Sequence, residues 1–200
     1  MAKLASDFLV LDYQSLRPWD TVLYIVQGSI VKFRGTAIVN AADSYCLGGG
    51  GVDGAISRAG GEILRRAREA LPVDPEGYRC PVGNAKVTVA GALPCKYVIH
   101  AVGPCFPSNP PYDEYDRLLS SAYIQSLLRA KENAVESIAF SLISAGVFRG
   151  TRELKSVITI ALKTIADNIY EGLKEIYVVA YSDTDAKVLV SVFSHLFKSP

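Results

Sequence analysis

Leu47-Gly48-Gly49-Gly50-Gly51-Val52-Asp53-Gly54-Ala55-Ile56 closely follows the apolar stretch Ala37-Ile38-Val39-Asn40-Ala41-Ala42. Consecutive glycines are costly to order, because glycine loses more backbone freedom on folding than any other residue. A chain keeps them where its backbone must touch something that a Cβ would block. Strand, glycine loop and helix start, in that order, aim free N–H groups and the positive end of a helix dipole at one place. This arrangement points to an anion, and first of all to a phosphate-containing ligand.

Outward from this loop, strand and helix patterns alternate. Short strands are expected over 8–11 and 22–26, with a turn at Arg17-Pro18-Trp19-Asp20 between them, and a buried strand over 37–40. The segment 53–70 reads as a helix, with Ile56, Ala59, Ile63, Leu64, Ala67 and Leu71 on its apolar stripe and Gly60-Gly61 as a point of division. Strands follow over 86–90 and 97–102, a helix over 116–131 and a strand over 137–143. The loop Ser144-Ala145-Gly146-Val147-Phe148-Arg149-Gly150 leads to a helix carrying Leu154, Val157, Ile158, Ala161, Leu162 and Ile165. A last strand is expected over 175–181 and a last helix over 184–197. The alternation predicts an α/β domain with helices on both faces of a sheet. Ligands of such sheets bind at the carboxyl ends of the strands, where both glycine-containing loops lie.

Totals narrow the class. Half of the 200 residues are hydrophobic, 20% are charged and the net charge is +1, which gives no electrostatic case for nucleic acid or an acidic membrane. No apolar stretch approaches the ~18 residues of a membrane span. Cys46, Cys80, Cys95 and Cys105 form no CxxC pair, and no secretory leader opens the chain; a cytoplasmic protein is expected, with the nucleus as an alternative. The basic cluster Arg65-Arg66-Ala67-Arg68 reads as a solvated helix face. A single domain over 1–200, with 1–20 as an extension or edge strand, fits this length.

Three motif readings compete for the glycines. Gly49, Gly51 and Gly54 match GxGxxG, but the acidic residue that a dinucleotide fold needs falls on Asp74, between Pro72 and Pro75 in a loop. No Gly-Lys-Ser/Thr follows, which removes a P-loop. The third reading is a resemblance. Val39-Asn40-Ala41-Ala42-Asp43, the run Gly48 to Ile56, Leu93-Pro94-Cys95-Lys96-Tyr97-Val98-Ile99-His100-Ala101-Val102-Gly103-Pro104 and Ser144-Ala145-Gly146-Val147-Phe148 together resemble the signature of MacroD-type macrodomains.

That resemblance implies a three-layer α/β/α fold around a mixed, mostly parallel sheet, and a cleft for ADP-ribose. Backbone amides of Gly48, Gly49, Gly50, Gly51 and Val52, and of Ser144, Ala145, Gly146, Val147 and Phe148, would hold the diphosphate, with Phe148 against the distal ribose. Ser29 and Ile30 would lie beneath the adenine and Tyr181 would stack on it. Asn40 would hydrogen-bond the backbone of the loop. The implied activity is hydrolysis of mono-ADP-ribosyl groups from acidic side chains, or of O-acetyl-ADP-ribose, with Asp53 and Asp43 as catalytic residues and no cofactor or metal. The alternative is a non-catalytic reader of ADP-ribosylated proteins or free ADP-ribose. The implied partner is ADP-ribose or a mono-ADP-ribosylated protein, and the expected state is a monomer.

Three positions depart from the family pattern. Ser29 stands where an Asp accepts from the adenine amino group. Asp43 replaces the second Asn of Asn-Ala-Ala-Asn, bringing a negative charge towards a diphosphate. Ser57 stands where many relatives have His. Asp53 also has a structural reading as a helix N-cap. Cys95, His100 and Cys105 match no standard zinc spacing, and buried packing is the simpler expectation for them. Cys46 is read as a packing residue and His195 as a surface one.

Overall fold

A computed structural model describes residues 7–198. Their seven-stranded sheet has the order β1-β2-β7-β6-β3-β5-β4. The strands are β1 (Leu9–Leu16), β2 (Thr21–Gln27), β3 (Ala37–Ala42), β4 (Ala85–Val89), β5 (Tyr97–Val102), β6 (Ser137–Ser141) and β7 (Glu175–Ala180). The helices are α1 (Gly51–Glu69), α2 (Asp113–Glu132), α3 (Leu154–Asp167) and α4 (Asp183–Phe197). From β2 to β5 across the sheet all pairings are parallel, and β1 and β4 close the two edges antiparallel. This is the expected mixed, mostly parallel arrangement. β1 is the edge strand, longer than the 8–11 expected; the first six residues of the segment 1–20 lie outside the described residues.

Side chains of α2, α3 and α4, such as Leu119, Ile158 and Leu189, share one core with a face of the sheet. α1 packs on the opposite face through Ile56 and Leu64, with Phe33, Phe8 and Tyr177 completing the layer. Full burial of side chains of this size contributes about 1.5–3 kcal/mol each. The expected division of α1 is present: Gly61 has φ 63° and ψ −157°, outside the helical region. The break resets the helix phase, so Ile63, expected on the apolar stripe, is 63% exposed. The buried line runs instead at intervals of four through Ile56, Gly60, Leu64 and Arg68. Arg68, expected on a solvated face, is 1% exposed, whereas Arg65 and Arg66 do face solvent and pair with Glu62.

The order of strands places the site. After β3 the chain leaves towards β5 and β4; after β6 it leaves towards β7. β3 and β6 are neighbours, so their two following loops diverge and open a crevice at the carboxyl ends. Pairing of these strands runs only from Ala37/Ile138 to Val39/Phe140. Ser141 Oγ then donates to Val39 O at 2.8 Å, a last side-chain tie before the strands separate.

Candidate functional site

Two adjoining cavities occupy this crevice. One, of about 340 Å³, is walled by Asp43, Gly49, Gly50, Asp53, Ser144 and Phe148, among others. The other, of about 430 Å³, is walled by Ser29, Ile30, Arg58, Ala145, Tyr181 and Asp185, among others. Gly51, Val52, Leu142 and Gly146 line both, so the glycine loop and the second loop form the waist between two lobes. Of the residues expected to meet ligand, Asn40 and Gly48 line neither lobe. Tyr181 lies one residue past the end of β7 and is 81% exposed, its ring free to take a partner.

The cradle follows from local backbone geometry. Gly50 is the N-cap of α1, which corrects the capping reading of Asp53: that residue stands third in the helix, its side chain turned elsewhere. Gly51 has φ 53°, a conformation that L side chains rarely adopt, and no atom occupies the space where its Cβ would lie. A Cβ on Gly54 would meet Gly49 O at 2.7 Å, so the loop folds back against its own helix only because residue 54 is glycine. The first N–H groups of α1, on Gly51, Val52 and Asp53, have no acceptor within the helix. Across the waist no backbone carbonyl of the described residues takes the N–H of Ala145, Gly146 or Val147. Ser144 adopts φ 53° and donates its hydroxyl to Pro104 O at 2.7 Å, so that group shapes the loop. Residues with free amides from both loops line one small volume, which suits a bridged pair of phosphates.

Beneath the glycine loop lies a buried polar network that sequence reasoning missed. Arg68 Nη1 is 2.7 Å from Asp53 Oδ1 and Nη2 is 3.1 Å from Oδ2, a two-pronged pair. Arg68 also donates to Ser57 Oγ at 2.9 Å and, through Nε, to the carbonyl of Cys46. Ser57 thus accepts the guanidinium that Asp53 needs. Asn40 Nδ2 donates to Asp53 Oδ1 at 2.8 Å and lies 3.2 Å from His100 Nδ1. Asn40 was expected to bind loop backbone; its partners are these two side chains, because it sits on β3 with 0% exposure, directly beside His100 on β5. His100 Nε2 is 2.9 Å from Thr88 Oγ1. Burial, and then the charge of Arg68, push the imidazole down to about 3. It is therefore neutral at physiological pH and serves the core. The signal for Arg68 was its place four residues beyond Leu64, on the line that had to be buried.

Asp43 closes its own loop. Its Oδ1 accepts from the N–H groups of Tyr45 and Cys46, both at 3.0 Å. Asp43 also lines the smaller lobe. Cys46 and Cys80 are fully buried together with Ala42 and Val102. The Cys46 thiol is pushed up by its hydrogen bond with Cys80 and by burial, in keeping with a packing role. Among the described residues no group of three or more His, Cys, Asp or Glu is placed to hold a metal ion, and no helix is long and apolar enough to cross a membrane.

The comparisons with known proteins agree with this geometry. The family model for the Macro domain matches residues 39–159. A macro domain-containing protein of Caldanaerobacter subterraneus is 43% identical over 176 residues, covering 87% of this chain and 97% of that one. An O-acetyl-ADP-ribose deacetylase of Escherichia coli is 40% identical over 168 residues, covering 83% and 92%. Among solved structures, the Oceanobacillus iheyensis macrodomain with ADP superposes with a TM-score of 0.84 at 32% identity, covering 94% of this chain and 96% of that one. A Trypanosoma brucei macrodomain in complex with ADP-ribose gives 0.70 at 29% identity, covering 84% and 68%. With the two glycine loops set at the divergence of β3 and β6, and relatives of this identity matched along nearly their whole length, the chain belongs to the macro domain family.

Proposed function

We propose that the protein binds ADP-ribose across the two lobes and hydrolyses O-acetyl-ADP-ribose or mono-ADP-ribosyl groups carried on acidic side chains. The observation that carries this reading is the waist: Gly51, Val52 and Gly146, whose N–H groups have no backbone acceptor, line the junction between a lobe with an exposed ring and a lobe with two carboxylates. The base would stack on Tyr181, the diphosphate would lie on the amides, and the distal ribose would enter between Phe148 and Asp43. Relatives that are O-acetyl-ADP-ribose deacetylases, or that were crystallised with ADP and ADP-ribose, support the same ligand.

In the reaction water adds either to the acyl carbon, breaking its bond to the ribose oxygen, or to the ribose carbon, breaking its bond to the carboxyl oxygen; in both cases ADP-ribose and a carboxylic acid leave. Asp53 enters this scheme as a fixed acceptor that orients the water, since Arg68 and Asn40 hold both of its oxygens. Asp43 supplies the freer carboxylate and takes the proton. A reader without turnover is the second reading, favoured by that same saturation of Asp53.

We take the acting form to be a monomer in the cytoplasm, the latter supported by four free cysteines. The test is calorimetry with ADP-ribose followed by a demodification assay. Absence of heat at high micromolar ligand removes both readings; binding without turnover leaves the reader. Turnover abolished in both Asp43→Asn and Asp53→Asn, with binding retained, supports the hydrolase.

A further inference from the structure

Beside the smaller lobe the chain shows two tyrosine rings to solvent. Asp43 lines that lobe, and its Oδ1 accepts from Tyr45 N at 3.0 Å. Cys46 is fully buried, and the residues on either side of it, Tyr45 and Leu47, are 51% and 48% exposed. Tyr78, 39% exposed, sets its ring 5.2 Å from that of Tyr45, the two planes 51° apart. Both rings stand on braced backbone. Arg79 N and Cys80 N donate to Ser44 O at 2.8 and 3.1 Å, which ties the two segments together. Asp74 Oδ1 accepts from Glu76 N and Tyr78 N at 3.1 and 2.7 Å, closing the turn before the second ring. Neither tyrosine lines a lobe, so a ligand that ends inside the cleft makes no use of the pair.

We propose that the Tyr45–Tyr78 pair docks the polypeptide to which an ADP-ribosyl group is attached, an apolar side chain beside the modified residue seating on the rings. The inference rests on the ADP-ribose reading above. With the distal ribose between Phe148 and Asp43, whatever that ribose carries emerges beside Asp43, and Tyr45 is bonded to that residue. An acetyl group ends there; a polypeptide continues over the rim. Tyrosine suits such a contact, because it offers a large apolar face with few rotatable bonds to fix. Rings already held by their turns lower the ordering cost further. Charge favours a polypeptide over a nucleic acid. The segments that carry the rings hold Asp43, Asp74 and Glu76. The guanidinium of Arg79 is drawn inward, its Nε buried and its Nη1 and Nη2 on the carbonyls of Tyr45 and Glu69. A phosphate backbone laid across this rim would meet carboxylates.

The experiment titrates the whole protein by calorimetry with free ADP-ribose and two conjugates. One is a short peptide with an apolar residue beside an ADP-ribosylated side chain, an amide replacing the ester so that the bond resists hydrolysis. The other is a short DNA strand ADP-ribosylated on its terminal phosphate. The peptide conjugate should bind about tenfold or more tightly than ADP-ribose, and the DNA conjugate no more tightly. In the double variant Tyr45→Ala with Tyr78→Ala this advantage should vanish while free ADP-ribose binds as before. In Tyr45→Phe with Tyr78→Phe it should stay. Thermal melting of each variant confirms the fold. No advantage for the peptide, or one that survives the alanine pair, overturns this inference alone. An equal loss of free ADP-ribose affinity in the alanine pair does so too, since the rings would then serve the cleft. A gain for the DNA conjugate that the alanine pair removes overturns the assignment to a polypeptide. Failure of free ADP-ribose to bind overturns the nucleotide reading, and this one with it.

Discussion

The Arg68 guanidinium grips both oxygens of Asp53, Nη1 to Oδ1 at 2.7 Å and Nη2 to Oδ2 at 3.1 Å, with 1% and 4% of the two residues exposed. A buried pair of this kind balances a large desolvation cost, so its removal in halves is far worse than its removal as a whole. Arg68→Met and Asp53→Ala should each lose about 3–5 kcal/mol of stability. The double substitution Asp53→Leu with Arg68→Met should recover much of it, as read by urea unfolding. If the single losses simply add, the pair is not coupled. Activity of an Asp53 variant is therefore meaningful only where that variant is shown to be folded.

Asp43→Asn keeps an oxygen for the N–H groups of Tyr45 and Cys46, so the loop should hold and the melting temperature should barely move. What disappears is a negative charge on the wall of the smaller lobe. ADP-ribose should bind more tightly, by roughly tenfold for about 1.4 kcal/mol of relieved repulsion. Asp43→Ala, which opens the turn, should weaken binding instead. Equal affinities for the unmodified protein and Asp43→Asn would remove the charge argument.

His100 makes stability depend on acid. Its folded value, about 3, lies below the ordinary 6.5 because burial and Arg68 disfavour the cation. The stabilisation is therefore complete above pH 6.5 and is lost as pH falls through that value towards 3, at up to about 1.4 kcal/mol per pH unit. His100→Gln retains an acceptor and a donor for Asn40 and Thr88 without the titration. Chemical unfolding at several pH values should show a shallower acid slope for that variant.

Tyr181→Ala separates binding from folding. The ring is 81% exposed, so its loss should change stability by no more than about 0.5 kcal/mol. Loss of base stacking should cost about 1–3 kcal/mol of ADP-ribose affinity. A variant that binds as well as the unmodified protein would take the base off this ring.

Much of this was readable in the residues. Alternating strand and helix patterns gave the α/β class, and two glycine loops after strands gave the crevice, because both depend on local chemistry that a linear sequence displays. The paired lobes needed the order of strands, and with it the divergence of β3 and β6. Arg68 was missed because three basic residues in four read as a solvent face; the partner that makes its burial tolerable lies fifteen positions earlier, on the other side of a helix break. Asn40 was misdirected for a similar reason: its partners come from α1 and β5, far away in sequence.

The break of α1 at Gly61 has a mechanical consequence. Asp53 lies on the segment before it and Arg68 on the segment after it, so the buried ion pair is a strut across a hinge. The angle between the two halves of the helix is set by this strut as well as by the sheet beneath. The strut reaches on to the carbonyl of Cys46, and the second half of the helix leads towards the segment that carries Cys80. Were the strut released, only packing of Ile56 and Leu64 on the sheet would hold the floor of the phosphate cradle and the far end of the helix in their relative places. A residue on the far side of the hinge thus helps to hold the cradle in place.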